Sequence, residues 1–184
     1  LNKKRKYLKI TKKITLEENG KNISIEPSDF TFEVNFKLNY DNKLIGEQEN
    51  TINFTKENLQ EVFTARTFCL YEDIEKIKKI GLAKGGSLNN AVVVDKDRVL
   101  NKDGLRCEKE FVNHKILDLA GDFILSGYRV LGKVSCYQGG HELTNAFLRK
   151  FLKLSDKYNI SEINEVLLTN QSDKTFHQKI AVSA

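Results

Sequence analysis

The sequence predicts an α+β fold, a two-layer sandwich in which a mostly antiparallel sheet carries helices on one face. Three observations lead there. Phe30, Phe32, Val34, Phe36 and Leu38 alternate strictly with Thr31, Glu33, Asn35 and Lys37, the pattern of a strand with one buried face. Short β-rich runs broken by turn signals fill residues 1–66. The two longest segments with helical spacing, 107–126 and 143–154, come only later.

Taken in order, residues 7–16 read as one strand on a largely alternating pattern, followed by the turn Glu18-Asn19-Gly20. Residues 21–26 form a short strand ended by Pro27, and 30–38 the clearest strand. Residues 39–50 read as a polar loop and 51–54 as a fourth strand. Thr55 is the expected cap of a short helix over 58–65, with Asn58 at its third position. A second short helix spans 72–80, with Leu70, Ile74 and Ile77 on one side and Gly81 as its stop. Lys84-Gly85-Gly86-Ser87 is a loop without the surrounding pattern of a phosphate loop. Strands follow at 91–94 and 98–100, then the turn Asn101-Lys102-Asp103-Gly104. The central helix, a strand over 130–137, the bend Gly139-Gly140-His141 and a second amphipathic helix complete the pattern. Residues 155–184 read as a polar tail with a weak strand around 166–168. No internal repeat or low-complexity tract is present.

With 184 residues, 40% of them hydrophobic, the chain makes one domain, or a domain plus a tail, able to bury a core. No run of about 18 apolar residues predicts a transmembrane helix. The basic opening, Leu1-Asn2-Lys3-Lys4-Arg5-Lys6, lacks the apolar stretch of a signal peptide. Three distant cysteines, Cys69, Cys107 and Cys136, argue against a disulfide framework or a cysteine zinc knuckle, and for a reducing, cytoplasmic location. A net charge of +5 suits an anionic partner: nucleic acid, a membrane surface or a phosphorylated small molecule. Equally, the excess is solvated lysine. An initial Leu and no Met suggest a piece of something longer.

Residues 111–122 carry the chemistry. At helical spacing Ile116, Leu119, Ala120, Phe123 and Ile124 share one broad face, while His114, Lys115, Asp118 and Asp122 share the opposite one. His114 and Asp118, at i and i+4, project as neighbours, and an imidazole and a carboxylate so placed can share a divalent metal, zinc being usual for such ligands. The alternative is a solvated helix face, since two ligands do not make a site. His141, after two glycines and before a helix, is a candidate general acid or base, with Asp122 as the carboxylate that fixes its tautomer; or it merely starts the helix. Thr67 and Phe68 offer a hydroxyl and an aromatic platform, or a cap and a core ring; Lys115 meets a phosphate, or only water.

The motifs Ala65-Arg-Thr-Phe68, Asp73-Ile-Glu75, Gly81-Leu-Ala-Lys-Gly-Gly-Ser87, Arg98-Val-Leu-Asn-Lys-Asp-Gly-Leu-Arg106, Glu110-Phe-Val-Asn-His-Lys-Ile-Leu-Asp-Leu-Ala-Gly-Asp122 and Gly140-His141 together closely resemble the UDP-3-O-acyl-N-acetylglucosamine deacetylases, the zinc amidohydrolases of lipid A synthesis. The resemblance runs in register from about the first residue to Leu154. It implies Zn2+ ligation by His114 and Asp118, catalysis by His141 supported by Asp122, and an oxyanion contact from Thr67. It implies that Lys115 contacts the phosphates of the UDP-sugar and that Phe68 lies at the sugar-nucleotide site. A small βαβ insert, about 69–94, is expected to form an apolar passage for the acyl chain, lined by Leu70, Ile74, Leu82, Ala91 and Val93.

The chain resembles only the second half of such enzymes: residues 1–154 match that second domain, and 155–184 follow it as the tail. The third ligand, a histidine, and the glutamate base belong to the first half, so the isolated chain is expected to be inactive. His177 lies outside every family motif and is not a candidate ligand. The implied partners are UDP-3-O-acyl-N-acetylglucosamine and the missing first domain, on the same or a separate polypeptide. A non-catalytic domain or a basic nucleic-acid module is the rival reading; the latter rests on charge alone and lacks an aromatic-interleaved basic motif.

Overall fold

A computed structural model of the chain describes residues 4–55, 58–81 and 83–163. The fold is α+β. Strands β1 (Arg5–Ile10), β2 (Ile14–Glu18), β3 (Lys21–Pro27), β4 (Phe32–Asn39) and β5 (Glu47–Asn53) come first. Then follow α1 (Gln60–Phe63), β6 (Thr67–Leu70), α2 (Ile74–Lys79), β7 (Ala91–Asp95) and β8 (Arg98–Val99). The last five elements are α3 (Glu110–Ile124), β9 (Arg129–Tyr137), α4 (His141–Leu152), a 3-10 turn (Ser155–Lys157) and β10 (Tyr158–Ile163).

The described residues divide into two compact units, one drawn from 1–35, 51–57 and 118–184, the other from 36–50 and 58–117. Among the described residues, the larger sheet has seven strands in the order β10-β1-β9-β3-β2, with β4 pairing both β9 and β5. Its pairings are mostly antiparallel, but β1 runs parallel to β9 from Tyr7↔Arg129 to Lys9↔Leu131. Beyond Leu131, β9 pairs antiparallel with β3, from Gly132 to Tyr137.

In the first unit α4 packs against β2 and β3 and buries Leu143, Phe147, Leu148 and Phe151. A row of rings, Phe32–Phe123–Phe147–Phe151–Tyr158, runs through this core at centroid spacings of 5.1 to 6.3 Å. Such spacings suit aromatic pairing beyond simple area burial. In the second unit β6 and β7 run parallel, joined through a 3-10 turn (Tyr71–Asp73) and α2, and β8 adds an antiparallel edge. This is the expected βαβ piece with a third strand added.

Several elements differ from the sequence reading. Residues 7–16 are two strands, because the chain turns at residues 11–13, where Thr11 N–H donates to Lys157 O at 3.0 Å. The loop expected over 39–50 ends early, with β5 starting at Glu47; the Asn42 side chain accepts from the N–H groups of Leu44 and Ile45 and tightens the turn before it. Asn58 accepts from Gln60 N–H and so precedes α1, while the Thr55 hydroxyl bonds Asn53 instead of capping a helix. Ile124, expected on the buried face, is exposed in the last turn of α3. Residues 158–163, expected in the polar tail, form β10; the strand expected around 166–168, and His177, lie outside the described residues. Among the described residues no helix is long and apolar enough to cross a membrane.

Gly132 sits where β9 changes partner. A Cβ there would stand 2.8 Å from Ile25 Cδ1 and 3.0 Å from Ile10 Cγ1, both fully buried. Overpacking of this kind costs ~1–3 kcal/mol. Urea unfolding of Gly132→Val is therefore expected to show a loss in that range, with Gly132→Ala losing less; unchanged midpoints would mean that β3 and β1 yield freely.

Candidate active site

In the first unit the site grows from the start of α4. Gly140 is extended, at φ −164° and ψ −178°, and its carbonyl accepts from Thr144 N–H at 3.0 Å and the Thr144 hydroxyl at 3.1 Å. That fixes His141 as the first helical residue. Its Nδ1 lies 3.0 and 2.9 Å from the two carboxylate oxygens of Asp122. A carboxylate accepts, so Nδ1 carries the proton and Nε2 is the nitrogen available for chemistry. Nε2 lies 4.0 Å from Asp118 Oδ2. The carboxylates are shielded, at 17% exposure for Asp122 and 24% for Asp118, whereas the His141 side chain is 70% exposed and open to a substrate. An imidazole oriented this way can hand a proton from Nε2 to a reacting group.

In the second unit the fixed point is a buried ion pair. The Glu110 carboxylate accepts from Arg66 N–H, Nε and Nη2 and from Arg106 N–H, at 2.6 to 3.0 Å. Burial pushes the Glu110 carboxyl upward, but these hydrogen bonds and the Arg66 charge outweigh it and hold the carboxyl below its ordinary value. The hydrogen bond to Glu110 raises Arg66 in turn, against its own desolvation. Arg66 lies between Ala65 and Thr67. The carbonyl of Ala65 accepts from His114 Nδ1 at 3.2 Å, which leaves the imidazole lone pair on Nε2. Thr67 opens β6 with an exposed side chain.

Phe68 packs edge-on against Tyr40 and Phe111, at 5.5 and 5.0 Å between centroids, and the Lys115 ammonium lies 5.7 Å from its ring centre. Lys115 is thereby held near an aromatic face, within cation–π range. A cavity of about 770 Å³ is lined by Thr67 and Phe68 together with Ile74, Ala91 and Val93. Leu70, the last residue of β6, is not in the lining, and Leu82 lies outside the described residues. Tyr71, Ile77 and Leu100 also line the cavity and escaped the sequence reading, although the side of the short helix that carries Ile74 also carries Ile77.

His114 and Asp118 occupy i and i+4 of α3. A histidine whose Nδ1–H is held by a backbone carbonyl presents Nε2 in the tautomer a metal requires, so the donor chemistry fits zinc. Among the described residues no group of three or more His, Cys, Asp and Glu side chains could hold a metal ion.

The family model described as UDP-3-O-acyl N-acetylglycosamine deacetylase matches residues 1–153. A relative from Syntrophotalea carbinolica, named UDP-3-O-acyl-N-acetylglucosamine deacetylase, is 45% identical over 89% of this chain and 53% of its own length. Proteins of the same name from Legionella pneumophila and Campylobacter jejuni are 41% and 38% identical, over 85% and 88% of this chain and 52% and 55% of theirs. The chain thus spans about half the length of the curated relatives it matches.

The Arg66–Glu110 pair sets a pH limit. Because the folded Glu110 pKa lies below its ordinary 4.5, the stabilisation is complete above about pH 4.5 and is lost as pH falls through the lowered folded value. Glu110→Gln leaves Arg66 buried without its counter-charge, a change worth ~3–5 kcal/mol. Denaturant unfolding at pH 7 and at pH 3 should show that loss at pH 7 and a smaller gap at pH 3; an equal gap at both would contradict the ionised pair.

Proposed function

The chain belongs to the UDP-3-O-acyl N-acetylglycosamine deacetylase family, and on that premise we propose that it is the second half of a zinc amidohydrolase that removes the acetyl group from UDP-3-O-acyl-N-acetylglucosamine in lipid A synthesis. The observation that carries this reading is the Asp122–His141 contact, 2.9 Å, which orients an exposed imidazole as a proton carrier. Residues 1–154 make up the second domain, about 69–94 its insert, and the segment 155–184 follows, its strand β10 joining the domain's larger sheet. The first domain, on the same or a separate polypeptide, brings a third ligand and the general base.

The reaction adds water to the acetamide carbonyl and ends as acetate and a free amine. His114 Nε2 and an Asp118 oxygen are this chain's ligands for Zn2+, which supplies Lewis acidity toward the carbonyl and the attacking water. His141, protonated, donates from Nε2 to the oxygen on which charge develops and then gives its proton to the departing amine nitrogen. Asp122 keeps Nδ1–H engaged throughout, so the ring stays in place while Nε2 changes partner. The Thr67 hydroxyl is a second donor to the same oxygen. Lys115 takes the diphosphate of the UDP moiety, with Phe68 beneath the sugar-nucleotide, and the acyl chain enters the cavity past Ile74, Ala91 and Val93.

A cytoplasmic location belongs to the same reading, in keeping with three free cysteines. The rival nucleic-acid module gains no support: lysines at 9, 13 and 37 pair with Asp29, Glu26 and Glu47 at 2.6 to 2.9 Å, so part of the basic surface is neutralised locally.

In the full-length enzyme His141→Ala is expected to lose ~100- to 10,000-fold in kcat while keeping its zinc, because a general acid acts in the transition state. His114→Ala should lose the zinc itself. Metal content measured beside steady-state kinetics separates the two; a zinc-free His141→Ala would make His141 a ligand. The 184-residue chain alone should turn over no substrate, and turnover by it would refute the incomplete-site reading.

A further inference from the structure

The wall of the 770 Å³ cavity is held from behind by one side chain that does not line it. Asn101 is 6% exposed and uses all its main hydrogen-bonding directions on that wall. Its Nδ2 donates to Leu88 O at 2.7 Å and to Ala91 O at 2.8 Å, and its Oδ1 accepts from Val93 N–H at 3.0 Å. Leu88, Ala91 and Val93 all line the cavity.

The geometry has a simple origin. The paired residues of β7 and β8 are Val94↔Val99 and Asp95↔Arg98, and Leu100 N–H still donates to Val93 O at 2.9 Å. After Leu100 the main chain turns, with Gly104 N–H donating to Asn101 O. The Asn101 amide then does what a further strand residue would do: it offers one donor and one acceptor to the backbone of β7. Its second N–H reaches the loop, fastening Leu88 to the strand. Leu88 is half exposed, so packing covers only part of its side chain and the bond to its carbonyl helps to hold it at the cavity.

We propose that Asn101 is a specificity-determining positioning residue, setting the length of acyl chain that the cavity accepts by fastening Leu88 and the start of β7. This rests on the reading of the cavity as an acyl site. Three hydrogen bonds to one buried side-chain amide make the fastening sensitive to its chemistry. Asn101→Asp keeps the shape but replaces the nitrogen that makes both donations with one oxygen facing two carbonyls, and Asn101→Ala removes all three bonds.

The test titrates a series of straight-chain saturated fatty acids, below their micelle concentrations, into the 184-residue chain and its variants, with thermal unfolding as the control for folding. For the unaltered chain, affinity should rise about fourfold per methylene and then stop at one length, where the wall is met. In Asn101→Asp and Asn101→Ala that break should move by two or more carbons or disappear. Leu88→Ala, which leaves the buried amide untouched, should move it too; a break unmoved there would overturn the proposal even if the Asn101 variants do not fold. A general loss of affinity with the break unmoved would overturn the proposal while leaving the acyl cavity standing. Absence of fatty-acid binding at every length would overturn the cavity reading, and the proposal with it.

Discussion

The Glu110 carboxylate is the anchor of the second unit. It lies at the first turn of α3, where the helix dipole favours a negative charge. Four donors converge on it, three from Arg66 and one from the backbone of Arg106. Arg66 adds a bond to Gly104 O, and Arg106 Nη1 one to Thr64 O. One carboxylate thus ties the entry to β6, the turn before α3 and α3 itself. A buried pair of charges is not a cheap way to gain stability, since desolvation opposes it. Its value here is registry: it sets Ala65 O where His114 can use it, and starts β6 at Thr67.

The same economy recurs with neutral groups. Asn101 extends a ladder that the main chain abandons, and Asn42 closes the turn before β5 while its Nδ2 donates to Lys96 O at 2.7 Å. Asp122 restrains a histidine rather than the backbone. In each case a short, stiff side chain with few rotamers takes the bond, so little conformational entropy is lost in making it. The larger sheet relies on a different device, its packed row of aromatic rings.

What the sequence revealed, and what it hid, follows from the range of the interactions. The alternation through Val34, Phe36 and Leu38 and the spacing of Ile116, Leu119 and Phe123 are local signals, and all six side chains are buried. The Asp122–His141 contact was legible because a helical phase and a known motif pointed to the same residues. The parallel pairing of β1 with β9 and the capture of β10 by β1 were not, because the partners stand more than a hundred residues apart and no period records them. The break between β1 and β2 carries no Gly or Pro to announce it. Arg66–Glu110 and Asn101 hid for a further reason: polar residues in a loop or at a helix start look solvated until their partners are known.

The register of β1 against β10 places Arg5 opposite Ile163. The polypeptide therefore enters and leaves the larger sheet at the same corner, on adjacent antiparallel strands. A short linker between those two positions would leave every rung of the ladder in place. A circularly permuted version opened at the tip of the β2–β3 hairpin, where Asn19 and Gly20 take positive φ and the side chains are exposed, would keep both helices in their order on the sheet.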